Sequence, residues 1–286
     1  MNFPVKEYHD NQAAAASVLV SVVNLSRATQ RRKIMQEQLT KIDISARFWP
    51  AVDASEPKSH AELKEISVSG DWGNMGLHDR ACTLSHLKLL EDFLVRDEAY
   101  CLILEDDVYL SAELQHWISD MSWWPENADI VKIERWRDDK LVLVLDKIET
   151  HHAGRRLAEL HSRHSGGAGY FVSRAAARRI VSKKPVDMPI DHFLFNVNIS
   201  PLARSLSVFQ VFPALVVQGN EPKNEANSRQ TLSSLSESNL PRELRRAFHE
   251  LKLVPMQFWK IIARGARLRK VSWCDSAMNV EGTEIG

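Results

Sequence analysis

Apolar residues recur along this chain with two different periods. Ser17-Val18-Leu19-Val20-Ser21-Val22-Val23 is a short run rich in β-branched residues, the composition of a strand buried on both faces. Asn24 or Ser26 can cap the helix that follows, where Leu25, Ala28, Met35, Leu39 and Ile42 return at helical spacing. A second helix is expected over about Asp79 to Val95, with Cys82, His86, Leu89, Leu90 and Phe93 on one stripe. It feeds Tyr100-Cys101-Leu102-Ile103-Leu104, another buried-strand run. Beyond lie a helix near Ala112 to Met121, strands at Asp129 to Ile133, Leu141 to Leu145 and Gly169 to Ser173, and a helix from Arg174 to Ser182. Strands alternating with helices predict an α/β fold with a central, mostly parallel sheet covered on both faces. Ligands then bind beyond the carboxyl ends of the strands.

The weakly periodic stretches divide the chain. Ala54 to Met75, with Pro57, Gly70 and Gly73, reads as a loop long enough to be functional or mobile. From Gly219 to Asn239 the chain is Ser-, Asn- and Glu-rich, the composition of a linker or mobile loop. After Pro241, Arg242, Arg245, Arg246, Lys252, Lys260, Arg264, Arg267, Arg269 and Lys270 interleave with Leu244, Phe248, Leu251, Phe258, Trp259 and Ile262. The expected domains are a catalytic unit over 1–218, a linker over 219–240 and a basic amphipathic helical segment over 241–286. That segment either lies on an anionic membrane or packs on the catalytic unit with its charges in water.

Composition narrows the partners. With 44% hydrophobic and 26% charged residues the chain can build a sizeable core, which excludes disordered and collagen-like classes. Lys plus Arg (37) equals Asp plus Glu (37), and no nucleic-acid-binding motif accompanies the basic segment, so no nucleic-acid partner is expected. Cys82, Cys101 and Cys274 are an odd, scattered set, which argues for a reducing compartment. Ala13 to Leu25 is too short to cross a bilayer, and Glu7 and Asp10 precede it where a signal peptide carries positive charge. A cytoplasmic location follows as the expectation.

Chemistry concentrates in Leu102-Ile103-Leu104-Glu105-Asp106-Asp107-Val108. Three consecutive acids at the end of a buried strand repel one another, and a hard divalent ion, Mn²⁺ or Mg²⁺, is the compensating charge that holds a diphosphate. A solvated loop with helix-capping acids is the alternative.

These residues belong to a longer series. Asn24-Leu25 with Arg27, Arg31 and Arg32, Ala51-Val52-Asp53, Cys82-Thr83-Leu84-Ser85-His86, the acidic block, Ala168 to Arg174, Pro189-Ile190-Asp191-His192 and Pro213 to Gln218 occur in this order. In that order and spacing the chain resembles glycosyltransferase family 25, the bacterial lipopolysaccharide and lipooligosaccharide sugar transferases, over about Val18 to Gln218. The resemblance implies a nucleotide-sugar-binding fold of the GT-A kind and an inverting, metal-dependent transfer of a hexose, galactose favoured. It implies a UDP-sugar donor and a lipid-linked glycan acceptor. Glu105 and Asp107 fall where such folds carry a metal-binding acid pair, with Asp106 beside them.

An inverting transfer needs a base for the acceptor hydroxyl, and Asp191 is the candidate; an Asp there also suits a helix N-cap. His192 is a further metal or phosphate partner, or a packed histidine. Asn24, Leu25, Arg27 and Arg31 follow the first strand, where helix-start N–H groups and guanidinium groups can meet the uracil, ribose or diphosphate. Ser85 and His86 prop the acid loop from behind or touch substrate. Trp123, Trp124 and Trp136 stack on a sugar or pack in the core. Gly166-Gly167 permits close backbone approach to a donor, or a tight turn. Two rival functions remain: a metal-dependent phosphohydrolase using the same acids, and a non-catalytic membrane adaptor built on a transferase fold.

Overall fold

The computed structural model describes residues 17–70, 73–135, 142–219, 259, 262–263 and 265–276. The first apolar run forms β1 (Val18–Asn24), followed by helix α1 (Thr29–Lys41) and a short strand β2 (Arg47–Pro50). The stretch expected to be a loop, 54–75, contains helix α2 (Ser59–Glu62) and the paired strands β3 (Ser69–Gly70) and β4 (Gly73–Asn74). Next comes α3 (Leu77–Leu94), entered through Gly76, whose N–H donates to Asp79 Oδ2 at 3.3 Å. It leads to β5 (Tyr100–Glu105) and β6 (Val108–Leu110). Within 112–121 the helix is confined to α4 (His116–Ser119).

The chain continues through β7 (Ile130–Lys132), β8 (Glu134–Arg135), β9 (Val142–His152), β10 (Arg155–Leu160) and β11 (Gly169–Ser173). Helices α5 (Arg174–Val181), α6 (Ile190–Phe195) and α7 (Pro201–Ser205) precede β12 (Val208–Phe212), β13 (Val216–Gln218) and β14 (Arg267–Lys270). Ser173 and Ser200 cap α5 and α7, their hydroxyls accepting the N–H of Ala176 and Ala203 at 3.2 and 3.1 Å.

Nine of these strands form one sheet in the order β14-β9-β10-β12-β7-β11-β5-β1-β2. Its pairing is parallel at β5-β1-β2 and between β12 and β7, and antiparallel elsewhere. The sheet is therefore mixed, where strand and helix alternation predicted a mostly parallel one. One reason is local: β9 and β10 are joined by Ala153 and Gly154 alone, with φ of 45° and 72°, so no crossover helix intervenes.

Two apolar layers flank the sheet, and the strands feed both. In β5, Cys101 and Ile103 face the layer built on α3, α5 and α6, while Leu102 and Leu104 face the layer built on α1 and α4. In β1, Leu19 and Val23 lie on the first side and Val20 and Val22 on the second. Two-sided burial explains why these strands are apolar without alternation.

The expected helical segment 241–286 is corrected where it is described. Residues 259, 262 and 263 are helical, but Arg267–Lys270 extends the edge of the main sheet antiparallel to β9. Ala214 bridges Trp273, and the Ala214 N–H donates to Ser272 O at 2.8 Å. Edge pairing satisfies backbone groups that an isolated short helix leaves open. Linker positions 220–240 lie outside the described residues. No described helix is long and apolar enough to cross a membrane.

Candidate functional site

Register places the site. Parallel pairing of β1 and β5 sets Val23 opposite Glu105, so the residues that follow both strands emerge at one level. There they border a cleft of about 220 Å³. Leu25, Arg27 and Arg31 line it from the start of α1, Ala51 to Ala54 from the segment after β2, and His78, Cys82 and Ser85 from α3. Glu105, Asp106 and Asp107 form its acidic wall with Gln218 from the end of β13.

The three acids divide into two kinds. Asp106 turns inward, accepting from Asn24 Nδ2 at 2.6 Å and pairing with Arg31 at 3.3 Å. Burial still pushes its carboxyl up, against the Asn24 hydrogen bond and the Arg31 charge. Glu105 and Asp107 instead share one neutral donor: Gln218 Nε2 lies 3.3 Å from Glu105 Oε2 and 3.3 and 3.4 Å from the Asp107 oxygens. Burial, then the charges of Glu105 and Asp106, push the Asp107 carboxyl up to about 7.

This donor set fits a hard divalent cation. Glu105 and Asp107 offer carboxylate oxygens on the same side of one turn, with the Gln218 Nε2 donor now between them; turning that amide over would bring its buried Oε1, which has no hydrogen-bond partner, to the acids as a further ligand. The raised Asp107 carboxyl marks negative charge that the protein itself does not neutralise.

The opposite wall is better satisfied. Arg27 Nε donates to Asp53 Oδ2 at 2.5 Å, and Asp53 Oδ1 also accepts from the N–H and hydroxyl of Ser55 at 2.9 and 2.6 Å. The Arg27 hydrogen bond comes first among the causes that hold Asp53 down at about 2. Ser85 ties this wall to α3: its hydroxyl accepts the Val52 N–H at 2.8 Å and donates to Ala81 O at 2.6 Å. His86, fully buried, shares a hydrogen bond with the Tyr170 hydroxyl through Nδ1 at 3.0 Å.

Asp191 and His192 do not line this cleft. Asp191 sits at the start of α6, behind the Gly166-Gly167 turn, with Oδ2 accepting the Gly166 N–H at 3.1 Å and Oδ1 the His192 N–H at 2.8 Å. His192 Nδ1 faces Asn196 Nδ2 at 2.9 Å. The turn is thin: a Cβ on Gly167 would lie 3.6 Å from Ile190 and 4.0 Å from Glu105 Oε1. Gly166 has φ of 85°, a conformation that favours glycine. Trp123 and Trp124 pack in the core, Trp123 against Trp117 and Phe171 and Trp124 against Tyr100. Trp136 lies outside the described residues. Gln218, Asp53 and Cys82 were all within sequence segments singled out above, yet no role attached to them, because each acts through a partner distant in the chain.

The profile of glycosyltransferase family 25, described as lipopolysaccharide biosynthesis protein, matches residues 19–194. The chain belongs to glycosyltransferase family 25. It is a glycosyltransferase, and the matched stretch contains β1 from Leu19 onward, α3, Glu105 to Asp107 and Asp191. Similar chains include the lacto-N-neotetraose biosynthesis glycosyltransferase LgtE of Neisseria gonorrhoeae, 27% identical over 69% of this chain and 72% of the relative. LgtB of the same organism is 27% identical over 84% of each chain. The lipooligosaccharide biosynthesis protein lic2B of Haemophilus influenzae is 25% identical over 69% of this chain and 74% of the relative.

Proposed function

We propose that this family 25 enzyme transfers a hexose, galactose favoured, from a UDP-sugar to a lipopolysaccharide- or lipooligosaccharide-type glycan, inverting the anomeric centre on a GT-A-like fold. The observation that carries the reading is the pair Glu105 and Asp107 sharing one neutral amide in a cleft at the carboxyl ends of β1 and β5. The family's link to lipopolysaccharide biosynthesis, and relatives named for lacto-N-neotetraose and lipooligosaccharide biosynthesis, support the acceptor class.

Glu105 and Asp107, with Gln218 Oε1, would hold Mn²⁺ or Mg²⁺, which supplies the positive charge that a departing diphosphate needs. Arg31, pinned by Asp106, stands at the same wall and orients the diphosphate by charge. Arg27 and Asp53 face it across the cleft and suit the polar edge of a nucleoside. Asp191 stands outside the cleft lining, so for it to take the acceptor proton the acceptor hydroxyl has to approach at the Gly166-Gly167 turn. Its two oxygens already accept N–H groups, which fixes the carboxylate's direction while leaving lone pairs for an acceptor hydroxyl. We place the enzyme in the cytoplasm, docked at the inner face of the membrane through the basic residues between Pro241 and Lys270, near which Trp259 and Ile262 are exposed.

A panel of nucleotide sugars tested by thermal shift with and without Mn²⁺ checks this reading. UDP-galactose is expected to raise the melting temperature with Mn²⁺ present and much less without it. Equal shifts in both conditions would remove the metal from the proposal. Steady release of free phosphate without an acceptor would favour a phosphohydrolase.

A further inference from the structure

Cys82, His86 and Glu105 each offer one ligand atom, and these atoms lie within 4.8 Å of one another, Cys82 and Glu105 lining the cleft and His86 buried behind them. Cys82 Sγ is 3.9 Å and His86 Nε2 is 3.5 Å from the same oxygen, Glu105 Oε1. Glu105 Oε2 points the other way, to Gln218. The carboxylate thus has one oxygen toward the hard-ligand pair described above and one toward a thiol and an imidazole.

The imidazole is the second, independent observation. His86 has no exposed surface, and its Nε2 has no hydrogen-bond partner. A buried polar atom left unmatched costs on the order of 1–3 kcal/mol, and at 3.5 Å from Glu105 Oε1 either a proton on Nε2 or a cation bound between the two atoms supplies the missing positive partner. Its other nitrogen is anchored by the buried Tyr170 hydroxyl at 3.0 Å. With Nδ1–H donating to that oxygen, Nε2 presents its lone pair toward Glu105 Oε1, the arrangement by which an outer partner sets a metal-binding histidine.

We propose that Cys82 Sγ, His86 Nε2 and Glu105 Oε1 form a second cation site, selective for a thiophilic divalent ion such as Zn²⁺. Sulfur and imidazole prefer Zn²⁺, whereas Mg²⁺ and Mn²⁺ prefer the all-oxygen set of Glu105, Asp107 and Gln218. Binding exchanges the Cys82 S–H bond for an S–Zn bond and releases one proton to solvent. Three protein ligands leave a fourth position open to water or to a donor phosphate oxygen. Because the two oxygens of Glu105 serve the two sets, two divalent ions there repel each other across one carboxylate, and Zn²⁺ weakens Mn²⁺ binding and inhibits the transfer. Only this competition rests on the proposed transfer metal; occupation of the thiol site stands without it.

The test uses the full chain, zinc chloride and alkylation of cysteines by iodoacetamide, read peptide by peptide by mass spectrometry. Micromolar Zn²⁺ is expected to slow alkylation of Cys82 at least tenfold, Mg²⁺ at millimolar concentration to leave it unchanged, and Cys274 to serve as the internal control. Cys82→Ser, a small change at the cleft surface, is expected to weaken Zn²⁺ binding at least tenfold by calorimetry, with an unaltered circular dichroism spectrum. Asp107→Asn is expected to keep zinc protection of Cys82 while weakening Mn²⁺ binding. Zinc binding undiminished in Cys82→Ser, or Cys82 alkylated at the same rate under saturating Zn²⁺, overturns the site. Loss of zinc protection in Asp107→Asn also overturns it, since the ion would then occupy the oxygen set. Mn²⁺ that fails to raise the apparent Zn²⁺ dissociation constant overturns the competition. Zinc protection in a protein that binds no Mn²⁺ supports the thiol site and defeats the metal-dependent transfer reading instead.

Discussion

Arg155 and Asp107 are both ionisable groups set against other charges, and their surroundings are opposite. Fully buried Arg155 pairs with Glu113 Oε2 at 3.1 and 2.9 Å, donates to the Ser111 hydroxyl at 2.8 Å and caps the carbonyls of Pro213, Ala214 and Cys274 at 3.0, 2.9 and 2.9 Å. Lys132 is likewise matched, 2.6 Å from Glu134 and 2.6 Å from Gly166 O. Asp107 has part of one amide and two other carboxylates for company. A folded chain tolerates a buried charge when the protein completes its coordination, as at Arg155. Where the protein leaves it incomplete, the missing partner comes from outside, and that distinguishes a binding site from a structural clamp.

The contrast breaks most visibly at Arg155. Arg155→Leu should leave Glu113 buried without its guanidinium and cost ~3–5 kcal/mol in urea unfolding. Adding Glu113→Leu should recover a substantial part of that loss, because the uncompensated charge is then gone. If the single variant unfolds at the wild-type midpoint, the clamp is not structural.

Asp107→Asn tests the other member of the pair. Transfer should fall about a hundredfold, roughly 3 kcal/mol in the barrier, under saturating donor and Mn²⁺. Retained transfer would show that Asp107 holds no ion.

The same side chain predicts a pH dependence of stability. Its folded value of about 7 stands above the ordinary aspartate value of 3.8, so the metal-free folded protein binds more protons than the unfolded chain across that window. Stability should therefore fall as pH rises from about 4 through 7, by an amount on the order of 1 kcal/mol or more from this group. Asp107→Asn should flatten the slope and raise the melting temperature at pH 8, so the substitution that harms transfer helps the apo fold. A melting curve series over pH 4 to 8 without divalent ions reads this directly.

The smallest effect is expected at Arg27 and Asp53. Asp53 sits below the ordinary carboxylate range, so its contribution is present at neutral pH and lost as pH falls toward 2. Arg27 is 60% exposed, which screens the pair, and Asp53→Asn should change stability at pH 7 by no more than ~0.5 kcal/mol. A distinctly larger loss in UDP affinity would assign the pair to the donor instead of the fold.

Much of the framework is legible in order of residues. β1, α1, α3, β5, β11 and α5 stand within a few residues of the segments expected from periodicity, because each is long or apolar enough for local pattern to dominate. The acidic wall was equally legible, since three acids after Leu104 have no packing rationale. The strands β2, β6, β8 and β13 are only two to four residues long, and β14 is polar, so their pairing depends on neighbours remote in the chain. The region 54–75 read as loop for the same reason.

Local order thus established which residues carry charge at the end of a buried strand and which segments are strand or helix, because burial and backbone preference act over a few residues. Three-dimensional packing alone decided that Asp106 is hydrogen-bonded by Asn24 and paired with Arg31 while Glu105 and Asp107 share Gln218. It also decided that Asp191 stands behind Gly166 and that Arg267–Lys270 joins the sheet edge. Charges are balanced by whatever lies within a few ångströms, and Gln218 is more than a hundred residues from the acids it bridges.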